Sequence, residues 1–235
     1  MRFALVIAVA LLAATAAAGI EPPSVSIGTP AHGSLQGGVA LPAEGDGFVT
    51  HSRLGNWLGR QYVNSRVRDT LVSVFRALHA VQPDRVFVVG ETGLRRGGRF
   101  RPHRSHQNGL SVDIFMPVRD AAGRRVIVPT HPWQRFGYSL EFDAQGRGGD
   151  LAIDFRSVAE LLAGLERDAQ RNGLAIERVI VAPEYVERVL AAGGGSLAAL
   201  SERFMRQPVW VRHDEHVHVD FRVVDRPALG QPSAR

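Results

Sequence analysis

The chain has 235 residues, a formal net charge of +5 and no cysteine. Without cysteine there is no disulfide, no thiolate metal ligand and no thioether-linked lipid anchor, so the core alone holds the fold and any metal falls to imidazole and carboxylate. All 28 basic side chains are arginine, a balance that suits an anionic partner, and no nucleic-acid-binding motif accompanies them.

Met1-Arg2, the apolar run Phe3 to Leu12 and the small residues Ala14 to Ala18 predict an export signal over residues 1–18, too short to favour a membrane span. Export removes nucleic acid as a partner, and cleavage leaves no membrane anchor. Residues 19–235 are enough for one domain with a sizeable core. Within it, 20–47 is rich in Gly, Pro, Ser and Ala and reads as an extended lead-in that wraps the domain, with Phe48, Trp57 and Tyr62 as anchors.

From Ser65 to Val81, apolar residues Val67, Leu71, Val74, Phe75, Leu78 and Val81 recur at helical spacing until Pro83, which predicts a helix. Arg85 to Gly90 reads as a short apolar strand. A glycine-containing loop then gathers Arg95, Arg96, Arg99, Arg101 and Arg104. Its position before a histidine motif suggests a rim that grips substrate carboxylates, with Arg99 and Arg101 as the candidates, since guanidinium matches carboxylate bidentately. Residues 118–149 read as a long irregular insertion, a lid or wall. Asp154 should cap a helix with the stripe Phe155, Val158, Leu161, Leu162, Leu165 and Ala169, closed by Asn172-Gly173. A strand over 176–182, helices over 184–190 and 197–205, a final strand and a frayed tail from 226 to 235 complete the chain. The fold class is α+β, a small mostly antiparallel central sheet flanked by helices and long loops.

Two stretches carry chemistry. In the last strand Val217, Val219, Phe221 and Val223 alternate with His216, His218, Asp220 and Arg222, the pattern of a half-buried strand with both histidines on one face. Such a pair can bind metal together, or one can bind while the other handles a proton. In the second stretch His106 precedes Asn108-Gly109, where the chain can turn, and Asp113 follows on a strand. His106 and Asp113 with a histidine of the last strand make a three-ligand set with an open position, the layout of catalytic zinc. Asp220 shares the face of His216 and His218 and is placed to orient an imidazole. His51 and His79 read as surface or core histidines.

Ser105-His106, six residues, Asp113 and then His216-x-His218 resemble the signature of the LAS-type zinc peptidases. Ser26-Ile27-Gly28, Ala31-His32-Gly33, Gly97-Gly98-Arg99-Phe100, Ser105-His106-Gln107 and Val112-Asp113-Ile114 narrow the resemblance to the penicillin-insensitive murein endopeptidases, over Ser24 to Val224. The resemblance implies Zn2+ held by His106, Asp113 and His218, with His103 at a further metal-site position. It implies His216 as general base and His213 as a second active-site histidine that stabilises the intermediate or handles a proton. The expected activity is periplasmic hydrolysis of peptidoglycan cross-links of the D-alanyl–diaminopimelate type, insensitive to β-lactams. Alternatives are a D,D-carboxypeptidase, dipeptidase or L,D-endopeptidase on the same scaffold, or an inactive zinc-bearing peptidoglycan-binding domain.

Overall fold

The computed structural model describes residues 23–207 and 211–224; the expected signal over 1–18 and tail over 226–235 lie outside them. The centre is a six-stranded sheet built from β1 (Glu44–Gly45), β2 (Phe48–Thr50), β3 (Phe87–Val89), β4 (Ser111–Phe115), β5 (Leu174–Ile180) and β6 (His216–Val223). Spatial order is β5-β6-β4-β3-β2-β1, and every pair is antiparallel except β2 with β3. The α+β class expected from sequence is therefore the one observed.

The apolar row of β6 (Val217, Val219, Phe221) and of β4 (Val112, Ile114) joins one hydrophobic core with the helices α2 (Ser65–Val81) and α3 (Phe155–Arg171). Asn64 caps α2 by accepting from the Arg66 amide at 3.0 Å, and Val67, Leu71, Val74 and Phe75 form its buried stripe. Val81 ends the helix exposed, because the stripe has rotated off the core by its last turn. Gly164 of α3 lets the two helices approach: a Cβ there would lie 2.9 Å from Val74 Cγ1. A short α1 (Arg53–Trp57) precedes α2, and α4 (Val186–Gly193) packs on α3.

Several expectations need correction. The polar face of β6 is buried too, with His216 at 4 %, His218 at 3 % and Asp220 at 0 % exposure, because the segments 91–108 and 131–138 roof it. The insertion 118–149 is not irregular throughout. Val118–Arg119 and Arg125–Val126 join Arg147–Gly148 and Leu151–Ile153 in a four-stranded antiparallel sheet, and two-residue strands are too short to show a period of two. The strand expected over 176–182 runs two residues earlier, and the helix expected over 197–205 is a 3-10 helix, Gly194–Arg203. Trp57 is 81 % exposed and anchors nothing, since the five-residue α1 buries only Gly55. The lead-in is a hairpin, Val25–Gly28 against Gly33–Gln36, pinned by Leu35 in the interior and by Ser24 Oγ donating to the Gly37 carbonyl at 2.6 Å. Among the described residues no helix is long and apolar enough to cross a membrane.

Asp154 joins the two layers. Its carboxylate accepts from the Ser157 amide and hydroxyl (3.1 and 2.9 Å) at the start of α3, and pairs with Arg119 (2.7 Å) and Arg125 (3.3 Å) of the small sheet. Burial works against its charge, but the Ser157 hydrogen bonds and the two guanidinium groups hold its pKa below the ordinary value. Asp154→Ala is expected to destabilise the protein by about 1–3 kcal/mol in urea unfolding, more than Asp154→Asn, which keeps a capping oxygen. A depressed folded pKa adds stability above the unfolded value and loses it as pH falls through the folded one. The gap between wild type and Asp154→Asn should therefore be full above about pH 5, narrow as pH falls below the ordinary carboxylate pKa of about 4, and close only beneath the depressed folded pKa.

Candidate metal centre

Strand register assembles the site. His218 on β6 lies directly opposite Asp113 on β4, with His216 opposite Phe115 and Asp220 opposite Ser111, so these polar side chains share one face. Asp113 Oδ1 is the hub: His218 Nδ1 lies 2.8 Å away, His106 Nε2 3.3 Å and His216 Nε2 3.6 Å. His106 is on no strand. It reaches the hub from a loop by taking a left-handed backbone, φ 66°, ahead of Gly109 at φ 75°. His103 comes from the same loop, its Nδ1 3.8 Å from Asp113 Oδ2. Ligand atoms of His103, His106 and Asp113 lie within 4.8 Å of one another, a group that could hold a metal ion.

Hydrogen bonds behind the ring set the direction of each lone pair. The Thr92 carbonyl, 3.1 Å from His106 Nδ1, can only accept, so His106 carries its proton there and turns a bare Nε2 inward. That Nε2 is buried and has no hydrogen-bond partner. His218 Nε2 donates to Asp220 Oδ1 at 2.9 Å, and Asp220 is itself held by Ser111 Oγ (2.6 Å) and Arg178 Nε (2.8 Å). His216 Nδ1 donates to Glu215 Oε1 at 3.0 Å. The Tyr138 hydroxyl occupies the other oxygen of Asp113, Oδ2, at 3.0 Å and in turn accepts from the Glu91 amide at 2.9 Å.

The electrostatics follow from burial set against neighbours. Burial opposes the charge on Asp113, but His106, His216 and the surrounding hydrogen bonds hold its carboxyl well below the usual range. Burial keeps the His106 ring neutral and takes His213 down to about 3. Burial also resists charging His218, yet Asp220 and Asp113 outweigh it and raise the ring to about 10. His218 thus keeps a proton between Nδ1 and Asp113 that a divalent cation can replace. His216 is raised in the same sense, Asp113 and Glu215 prevailing over burial. Burial and Asp113 push Tyr138 far up, so it stays a phenol and a donor. An unsatisfied buried imidazole nitrogen, a replaceable proton and a buried carboxylate are the donor set that a dication fits, with outer partners orienting the ligands.

The site opens into a cavity of about 760 Å³, within the range of ligand pockets. Of the residues singled out from sequence, His103, His106, Asp113, His213, His216 and His218 come together. The His213 ring lies 4.6 Å from that of His216 and 6.2 Å from that of His218. Arg99 and Arg101 do not join them: both are exposed and neither lines the cavity, whereas Arg104 of the same loop does. Glu91 also lines it, held at about 2 against burial by Arg60 and His103.

Three wall residues escaped the sequence reading. Tyr138 sits in a long insertion with no local pattern to mark it. Glu215 precedes the strand, where alternation gives no direction. His51, read from sequence as structural, is buried against Tyr138 (5.7 Å between rings) with Nδ1 lacking a partner; only its burial in three dimensions reveals it.

A family model for penicillin-insensitive murein endopeptidase matches residues 26–226. The penicillin-insensitive murein endopeptidase of Salmonella paratyphi C (strain RKS4594) is 27 % identical over 205 residues, and that of Salmonella heidelberg (strain SL476) 27 % over 203. Each alignment covers 84 % of this chain and 66 % of the relative, so the chain spans about two thirds of the length of these proteins. The chain belongs to the penicillin-insensitive murein endopeptidase family.

Proposed function

We propose that this chain is a periplasmic zinc-dependent endopeptidase that hydrolyses peptide cross-links of peptidoglycan, most simply the D-alanyl–diaminopimelate bond. One observation carries the proposal: the bare His106 Nε2 and the His218 Nδ1 converge on Asp113 Oδ1, with His216 beside them. His106, Asp113 and His218 would hold the ion, with His103 as a further candidate ligand, and imidazole with carboxylate suits zinc. When bound, such an ion supplies a Lewis acid that polarises a carbonyl and acidifies water.

The remaining work belongs to the protein. Because His216 Nδ1 is committed to Glu215, its Nε2 faces the hub. With a cation at Asp113 offsetting the carboxylate charge that raises this ring, Nε2 is left to accept a proton from water and return it to the leaving amine. His213 has Nδ1 on the Val211 carbonyl at 2.7 Å, so its Nε2 is also an acceptor; this favours proton handling over donation to an oxyanion. Hydrolysis by water needs no acyl-enzyme serine, which is why β-lactams, acylators of serine, should leave the reaction untouched.

EDTA should abolish release of monomeric muropeptides from sacculi and added zinc should restore it; equal digestion with and without chelator overturns the proposal. His216→Ala should lower kcat by about 10²–10⁴-fold, the usual worth of general acid–base catalysis, while metal content stays that of the wild type. Turnover preserved in that variant would leave a metal-bearing binding domain as the better description. Asp220→Ala frees the His218 ring to turn and should weaken zinc binding about 10- to 100-fold in a competition titration.

A further inference from the structure

We infer that Arg135 is the residue that reads a substrate carboxylate at this cleft, an assignment that rests on the endopeptidase reading and extends it to specificity. Most charged groups lining the cavity are already committed. Arg178 is paired with Asp220, Glu91 with Arg60 and His103, Asp113 with the imidazoles, and Glu215 with His216. Arg135 lines the same cavity, is exposed, and among the described residues has no carboxylate within ion-pair distance.

Its backbone is the second observation. Arg135 (φ 50°, ψ 40°) and Phe136 (φ 57°, ψ 34°) are consecutive left-handed residues, neither of them glycine. That is a sparsely populated arrangement, kept only where the surroundings over-determine it and concentrated at functional sites. Here the surroundings are the site itself. The Phe136 amide donates to the His131 carbonyl at 3.0 Å, and the Phe136 ring meets His51 edge-on at 6.3 Å. Gly137 (φ 101°) has no room for a Cβ, which would lie 2.8 Å from the Phe115 ring. One residue further, Tyr138 holds Asp113. The turn thus sets the Arg135 backbone three residues before the tyrosine that holds the carboxylate around which the imidazoles gather. A guanidinium takes a carboxylate through two parallel hydrogen bonds, and an amide cannot replace that partner. The peptides in question carry such a group, the free diaminopimelate carboxylate beside the cross-link.

The test uses the zinc-loaded protein and two soluble cross-linked muropeptide dimers, one with the diaminopimelate carboxylate free and one with it amidated. Wild type should prefer the free acid by about 10- to 100-fold in kcat/KM, the worth of a hydrogen bond to a charged group. Arg135→Gln should lose that preference chiefly through KM, and Arg135→Lys should recover part of it. Absence of a preference in wild type, or its survival in Arg135→Gln, overturns the inference. A parallel titration compares binding of the free-acid dimer to His216→Ala with and without Arg135→Gln. If wild type cuts neither dimer, the endopeptidase reading falls, and this titration still decides the role of Arg135. A rise in Kd of tenfold or more supports it; equal Kd values, or no binding at all, overturn it. Thermal midpoints matching the parent exclude a folding defect as the cause.

Discussion

A fully buried, ionised carboxylate at Asp113 is the constraint around which this molecule is arranged. Stripping water from an anion costs several kcal/mol unless compensating groups surround it. The protein supplies them unequally. Oδ2 receives the Tyr138 hydroxyl, a donor whose own acidity is suppressed, while Oδ1 faces three imidazoles. That asymmetry separates a structural oxygen from a chemical one. Tyr138 satisfies the half of the carboxylate that positions it, and the other half stays available to a cation.

Behind the imidazoles the same logic recurs with different acceptors. Thr92 offers a backbone carbonyl to His106, Asp220 a carboxylate to His218, and Glu215 a carboxylate to His216. Each fixes a proton on the far nitrogen, so the near nitrogens point inward. The acceptors also grade the rings. Burial keeps His106, with only a neutral carbonyl behind it, uncharged, whereas at His218 Asp220 and Asp113 outweigh burial and hold a proton strongly. Arg178 and Ser111 keep Asp220 from acting as a loose counter-charge.

How much of this was legible in the sequence depended on whether a residue's position followed from a repeating backbone. Alternation along residues 216–223 put His216, His218 and Asp220 on one face, and alternation along 111–115 did the same for Asp113; the register of β6 against β4 agrees with both. The capped, striped helix after Asp154 was equally readable. Tyr138 was not, because it reaches Asp113 through a turn of two left-handed, non-glycine residues that no propensity announces. Which arginines of the rich loop meet the cavity was hidden for a related reason. Charge density placed the carboxylate grip at Arg99 and Arg101, but the loop carries both outward, and the cavity draws its guanidinium groups from Arg104, Arg135 and Arg178. The buried polar face of β6 was hidden as well, since a strand's own pattern cannot say that loops from elsewhere will roof it.

The division between the two sheet faces explains how such a site coexists with a stable fold. The face of Val112, Ile114, Val217, Val219 and Phe221 belongs to a close-packed core with α2 and α3, where apolar burial contributes roughly 25 cal/mol per Å². The opposite face concentrates what a core would not tolerate: a buried anion, an unsatisfied ring nitrogen on His106, another on His51, and a left-handed pair at Arg135 and Phe136. Because side chains alternate along a strand, the core residues Val112, Val217 and Val219 are each followed by one that faces the site: Asp113, His218 and Asp220. A change confined to the polar face therefore alters chemistry with little loss of packing, and a change on the apolar face does the reverse. Tyr138 and Asp220 are exceptions, since each couples an outer layer to the hub, Tyr138 to Asp113 and Asp220 to His218. Around them, a substitution should alter stability and the geometry of the site together.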